Sequence, residues 1–164
     1  MKASTFRDKK NMAFTRRKYM GGVPGSKIVK FTMGDPGGEF SHRLELINLR
    51  DVQIRHNALE AARVAANRVL ENNLGREGFM LKIVPYPHQI IREHKRVNVA
   101  QADRFQEGMK KAYGKPTAVA ARIKKRSPII IAEVDERNIG HAKEALKRAG
   151  AKFPVPTRII ETKL

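Results

Sequence analysis

Three carboxylates, Glu93, Asp103 and Glu107, fall in one stretch of the chain and could in principle pair as general acid and base for hydrolysis, of RNA for example. Each is surrounded by lysine and arginine: Lys95, Arg96, Arg104, Lys110 and Lys111 lie among them. Acids so placed serve as ion-pair partners that order a basic loop. The five histidines, His42, His56, His88, His94 and His141, are scattered, and no pair has a metal-ligand spacing. The chain has no cysteine, which excludes disulfides and thiolate metal sites. No serine sits in a nucleophile elbow. The run Gly21-Gly22-Val23-Pro24-Gly25-Ser26-Lys27 resembles a phosphate loop but fails its test. Ser26 precedes Lys27, and a strand-like run follows where the motif needs a helix. It reads as a turn, with Lys27 left as a phosphate contact. Enzymatic, metal and cofactor chemistry are therefore set aside.

What remains is the chemistry of cations and aromatic rings. The stretch His88–Pro116 begins as a strand, His88 to Arg92, and ends in the turn signal Gly114-Lys115-Pro116. The residues between show neither the period of a strand nor that of a helix. A gap that long inside a compact domain is functional or disordered. It carries Lys95, Arg96, Arg104, Lys110, Lys111 and Lys115, with Phe105 and Tyr113 as aromatics. A basic, aromatic-tipped loop suits RNA, whose unpaired bases stack on such rings. A plain solvated surface loop is the competing reading.

The whole chain of 164 residues carries a net charge of +18. Such charge repels itself in the free protein and points to a polyanionic partner, most commonly nucleic acid. The charge is partitioned. Residues 1–30 and 91–126 each hold +8, residues 31–90 hold none, and residues 127–164 hold +2. Two separated basic arms gripping one polyanion account for this division. A membrane surface is the rival, but the chain lacks Trp and has no basic amphipathic helix with a large apolar face. No apolar run is long enough to span a bilayer. The first residues have no apolar signal region, so an intracellular, cytoplasmic location is expected.

The elements that must position these groups follow from local pattern. Residues 1–20 read as an irregular basic arm, with Arg16, Arg17 and Lys18 beside Tyr19; a tail anchored by a few aromatics is the alternative. Residues 21–164 read as one α+β domain that includes the 94–116 loop. Asp35-Pro36-Gly37-Gly38 predicts a hairpin between strands at Ile28–Met33 and Phe40–Leu49. Asp51 is expected to cap a helix from Val52 to about Asn73, ended by Gly75, with an alanine-rich face at Ala58, Ala62, Ala65 and Ala66 laid close to a sheet. Strands follow at Phe79–Val84, Thr117–Ile123 and Ile129–Val134. The last two flank a basic turn, Lys124-Lys125-Arg126. Asn138 is expected to cap a second helix to Ala149, and an edge strand begins after Pro154 and Pro156. The sum is a largely antiparallel sheet with two packed helices.

Longer agreements are more specific. Tyr19-Met20-Gly21-Gly22-Val23-Pro24-Gly25-Ser26-Lys27-Ile28, Ala58-Leu59-Glu60-Ala61-Ala62-Arg63, Pro87-His88 with Ile91-Arg92-Glu93, and above all Ala102-Asp103-Arg104-Phe105-Gln106-Glu107-Gly108-Met109 with Gly114-Lys115-Pro116 resemble one family. It is the universal large-subunit ribosomal protein L-sixteen family, in its archaeal and eukaryotic branch called L-ten-e. The resemblance runs from about residue 14 to 160. It implies an α/β hammerhead fold, binding to large-subunit ribosomal RNA, and neighbours among the ribosomal proteins. It also implies that the 94–116 loop points toward transfer RNA and the peptidyl-transferase region without being its catalyst. An archaeal source is expected, because the chain is shorter at its C-terminus than the eukaryotic form. The phosphate contacts expected are Arg16, Arg17, Lys18, Lys27, Arg92, Lys95, Arg96, Arg104, Lys110, Lys111, Lys115, Lys124, Lys125 and Arg126, with Tyr19 and Tyr113 stacking on bases. A peripheral adapter for acidic membranes or proteins is the second reading.

Overall fold

Leu44 and Leu46 alternate with Arg43 and Glu45, and this period of two gives a strand one apolar and one polar face. The computed structural model, which describes residues 15–94 and 112–164, builds its larger sheet on that strand. In chain order the elements are a 3₁₀ turn at Arg17–Tyr19, β1 Thr32–Gly34, β2 His42–Asn48, β3 Val52–Arg55, α1 His56–Leu74, β4 Met80–Ile83, β5 Gln89–Glu93, β6 Lys115–Ile123, β7 Pro128–Val134, a second 3₁₀ turn at Glu136–Asn138, α2 Ile139–Gly150 and β8 Thr157–Lys163. The α+β reading, with two helices on antiparallel strands, is what the structure has.

The strands form two sheets, with the orders β1-β4-β7-β2-β8 and β3-β6-β5, and every ladder is antiparallel. Leu44 lies opposite Ala132 and Leu46 opposite Ile130, so the buried faces of β2 and β7 coincide. On the opposite face Arg43 is directly across from Glu133 and pairs with it at 2.7 Å. Leu59, Ala62, Ala66, Val69 and Leu70 of α1 and Ala142, Ala145, Leu146 and Ala149 of α2 enter one core with these strands. Removing each large aliphatic side chain from water stabilises the fold by roughly 1.5–3 kcal/mol. The smaller sheet is buried on both faces. Val52, Ile54, Ala121 and Ile123 join the main core, and Ile91, Ala118 and Ala120 form a second cluster.

Several local expectations change. Asp35 to Gly38 does turn, with the Gly37 N–H donating to Asp35 Oδ1 at 2.9 Å, but β1 and β2 are not a hairpin. β4 and β7 lie between them. Gly34 completes β1 at φ 81°, where a Cβ would stand 2.0 Å from the Phe79 carbonyl oxygen, so only glycine admits this approach. The long helix starts at His56 rather than Val52, because Val52–Arg55 pair with Ala120–Ile123 as a strand. Asp51 consequently caps no helix. Asn138 stands at the start of α2 but makes no side-chain capping bond. The alanine-rich face of α1 packs chiefly on the equally small face of α2, so the close approach is helix to helix. Gly75 ends α1 as expected, and β8 is the edge strand.

Candidate nucleic-acid interface

Every described candidate cation but Lys27 is mounted on the three-stranded sheet or at its rim, and Lys27 is tied to the helix that β3 runs into. The first group follows the free edge of β5. The Ile90 N–H donates to the Thr15 carbonyl at 3.1 Å, and the Thr15 N–H donates to the buried Gln89 Oε1 at 2.9 Å. Thr15 is therefore docked as if adding to the sheet. The chain then turns through Arg17–Tyr19, with the Tyr19 N–H bonded to the Arg16 carbonyl. This tight turn directs Arg16, Arg17, Lys18 and Tyr19 outward, all exposed. Arg16, Arg17 and Lys18 line a groove of about 510 Å³ together with Ser26, Tyr86, Pro87, His88 and Val119.

Lys27 is exposed, and its backbone N–H donates to His56 Nδ1 at 2.9 Å. Accepting that bond requires a neutral imidazole with its proton on Nε2. Burial holds the His56 pKa below its ordinary value of 6.5, and the charges of Arg55 and Lys27 push the same way. A histidine with a lowered folded pKa stabilises the fold fully above pH 6.5 and loses that contribution as pH falls toward the folded value. We expect chemical-denaturation midpoints to drop between pH 7.5 and 5. In His56→Gln, whose amide oxygen can accept the same N–H, the drop should be smaller. Equal pH dependence in the two proteins would exclude His56 as the source.

The second group frames the base of the 94–116 loop. Glu93 lies opposite Lys115 and Arg92 opposite Pro116, after a bulge between Ile91 and Arg92. The Arg92 guanidinium lies over the Tyr113 ring, 3.7 Å from its centre, and its Nη1 donates to the Tyr113 carbonyl at 3.0 Å. One face of Tyr113 is thus covered by a cation, while the ring remains 57% exposed. Gly114 has φ 78°, and a Cβ there would meet the Glu93 carbonyl carbon at 2.8 Å. Glycine is what lets the two sides of the mouth close. Lys115 is exposed beside it. Lys95, Arg96, Arg104, Lys110 and Lys111 lie outside the described residues.

The third group is the turn between β6 and β7. Lys124, Lys125 and Arg126 are all exposed. The Lys125 N–H donates to Asp51 Oδ1 at 2.7 Å, and the Arg126 N–H donates to the Asn48 carbonyl at 2.8 Å. Arg126 adopts φ 65°, a left-handed conformation uncommon for a side chain of this size. The Lys125 and Arg126 N–H groups, donating to the Asp51 carboxylate and the Asn48 carbonyl, hold the turn in place.

Two features escaped the residue-level reading. Asp51, expected at a helix end, instead fixes the basic turn. Tyr86 and His88 form an aromatic platform with Phe31: the Phe31 and Tyr86 rings stack at 5.3 Å, and Tyr86 and His88 meet at 4.6 Å. The Pro-Tyr-Pro-His run is the signal that could have found it. Among the described residues no cluster of side chains could hold a metal ion, and no helix is long and apolar enough to cross a membrane.

These observations define a class: an α+β protein of two antiparallel sheets, the smaller one rimmed with exposed cations and open aromatic rings. Comparison with known proteins is more specific. The family described as ribosomal protein L16p/L10e matches residues 9–160. The chain is 48% identical to the large ribosomal subunit protein uL16 of Staphylothermus marinus, over 90% of this chain and 84% of that one. It is 46% identical to the uL16 protein of Methanosphaerula palustris, over 94% and 90% of the two chains. Identity to the Thermoplasma volcanium uL16 protein is 44%, over 92% and 86%. The chain belongs to the ribosomal protein L16p/L10e family, in its archaeal branch. It is a ribosomal protein of the large subunit.

Proposed function

We propose that the protein grips large-subunit ribosomal RNA through the cations rimming its three-stranded sheet, beside neighbouring ribosomal proteins, and holds the 94–116 loop toward the transfer-RNA path. The observation that carries this reading is the common mounting of the three basic groups. The 16–18 turn follows Thr15, which is bonded to Gln89 and Ile90 of β5, the loop mouth stands at the start of β6, and the 124–126 turn stands at its end. β6 spans nine residues, Lys115–Ile123, so these last two groups are about 30 Å apart at ~3.3 Å per residue. That separation lets one rigid sheet meet phosphates on separate RNA segments, with lysine and arginine displacing condensed counterions at each.

The loop half of the reading rests on the family resemblance and on the geometry of the mouth. Arg92, Tyr113 and Gly114 fix where the loop leaves the domain. The loop sequence supplies the cations Lys95, Arg96, Arg104, Lys110 and Lys111 for a second polyanion. Sedimentation of the native full-length protein in cell extract tests the first half. We expect it with large-subunit particles at low salt. Recovery with membranes or in the free pool, with particles free of it, would overturn the RNA reading and favour the adapter.

A further inference from the structure

We propose that the groove between the 16–18 turn and the Pro85–His88 bend captures one unpaired RNA base, stacked on the Tyr86–His88 platform with its flanking phosphates on Arg17 and Lys18. This rests on the RNA-binding reading above and names a contact site within it.

Tyr86 is built as a platform. Proline on both sides, Pro85 and Pro87, restricts its backbone. Phe31 stacks with its ring at 5.3 Å with the planes 24° apart, and the exposed His88 ring lies over it at 4.6 Å and 45°. The ring is nonetheless 54% exposed. Ordering a base against a ring already held by its neighbours costs little further conformational freedom. Every base has a flat π face, so such a platform accepts an unpaired base without needing a particular sequence.

The walls suit the rest of a nucleotide. Arg17 and Lys18 line the same groove on a turn fixed by its own backbone bonds, and they supply the counter-charge that phosphates require. Ser26 lines the same groove, and its hydroxyl oxygen is buried with no hydrogen-bond partner among the described residues. A buried hydroxyl without a partner is uncommon. Val119 adds apolar surface at the β6 side. The volume, about 510 Å³, is within the ~300–1,000 Å³ range of small-ligand clefts. An acidic peptide would satisfy the cations but has no use for a stacked platform, so the groove favours RNA.

The test uses the full chain, with single-stranded oligoadenylate, a blunt RNA duplex of the same length and oligoglutamate as probes at one salt concentration. Tyr86→Leu should weaken oligoadenylate binding about 5- to 150-fold, the loss of one stacked base, and leave duplex binding unchanged. Tyr86→Phe should restore it. The slope of log affinity on log salt should stay the same, since no charge has changed. The chain has three tyrosines and no tryptophan. In a Tyr19→Phe, Tyr113→Phe background, oligoadenylate should therefore quench the fluorescence of Tyr86 itself, with the platform undisturbed. Binding without quenching, or wild-type affinity in Tyr86→Leu, overturns the stacking site while leaving the RNA reading intact. Oligoglutamate binding that is equally sensitive to Tyr86→Leu would make the groove a general anion site and overturn its assignment to a base. A wild-type protein that binds neither RNA overturns both readings.

Discussion

Raising salt from 50 to 200 mM should weaken the complex with large-subunit ribosomal RNA by about 10³- to 10⁵-fold, the loss that follows from roughly six to ten phosphate contacts. Two parts of the chain, residues 1–30 and 91–126, each hold +8, and the described cations among them are exposed, except the half-buried Arg92 and Arg122. Each Lys or Arg that meets a phosphate releases condensed counterion, and added salt reverses that gain. Exposed charges are also screened, since the Debye length falls to about 8 Å at physiological ionic strength. The basic turn gives the prediction a local form. Lys124→Gln and Lys125→Gln should each flatten the slope of log affinity on log salt by about 0.7 to 0.9. Arg126→Gly should do the same without disturbing the turn, because glycine accepts the φ of 65° found there. Filter binding across a salt series measures all three. Affinity that hardly changed over that range would sink the electrostatic account.

Excising residues 97–111 and closing the gap with a short Gly-Ser bridge should leave a folded protein that enters the large subunit but cripples translation. The folding half follows from the mouth. Glu93 and Lys115 are ladder partners on adjacent strands, about 5 Å apart, so a few residues can close the mouth. Closure entropy changes only with the logarithm of loop length, so shortening costs little. No described core residue is removed, because both buried clusters lie outside the excised stretch. The functional half follows from what is lost: Arg104, Lys110 and Lys111, three of the cations proposed to meet RNA. Thermal unfolding of the free variant, its occupancy in purified subunits and the transfer-RNA affinity of those subunits separate the two halves. Normal assembly together with wild-type transfer-RNA binding and peptide formation would make the loop a passive surface feature.

The sequence was most readable where a signal is local and least where partners are distant. Strands such as Met80–Ile83 and Pro128–Val134, the end of α1 at Gly75 and the edge strand β8 all follow from short patterns. The turn at Asp35–Gly38 was also legible, but a turn does not say which strands will pair beyond it. β1 found β4, and β2 found β7 and β8. Val52–Arg55 was drawn into the helix because no glycine or proline separates it from Ala58. Only its pairing with Ala120–Ile123, far along the chain, makes it a strand. The basic candidates were visible as charge, and their common frame was not. The aromatic platform needs Phe31 beneath Tyr86, a meeting that spacing cannot reveal.

β6 has the loop mouth at one end and the basic turn at the other, paired along its length by β5 and β3. A strand paired over its whole length, by β5 as far as Ala120 and by β3 from Ala120 on, behaves as a ruler. Its residues cannot slide, since a shift by one position would turn Ala118, Ala120 and their companions out of the packing they occupy. The span between the two cationic ends is therefore a fixed length in the molecule. If the turn is seated on the ribosome, the loop's point of departure is set to within the small play of a paired sheet, whatever the loop itself then does.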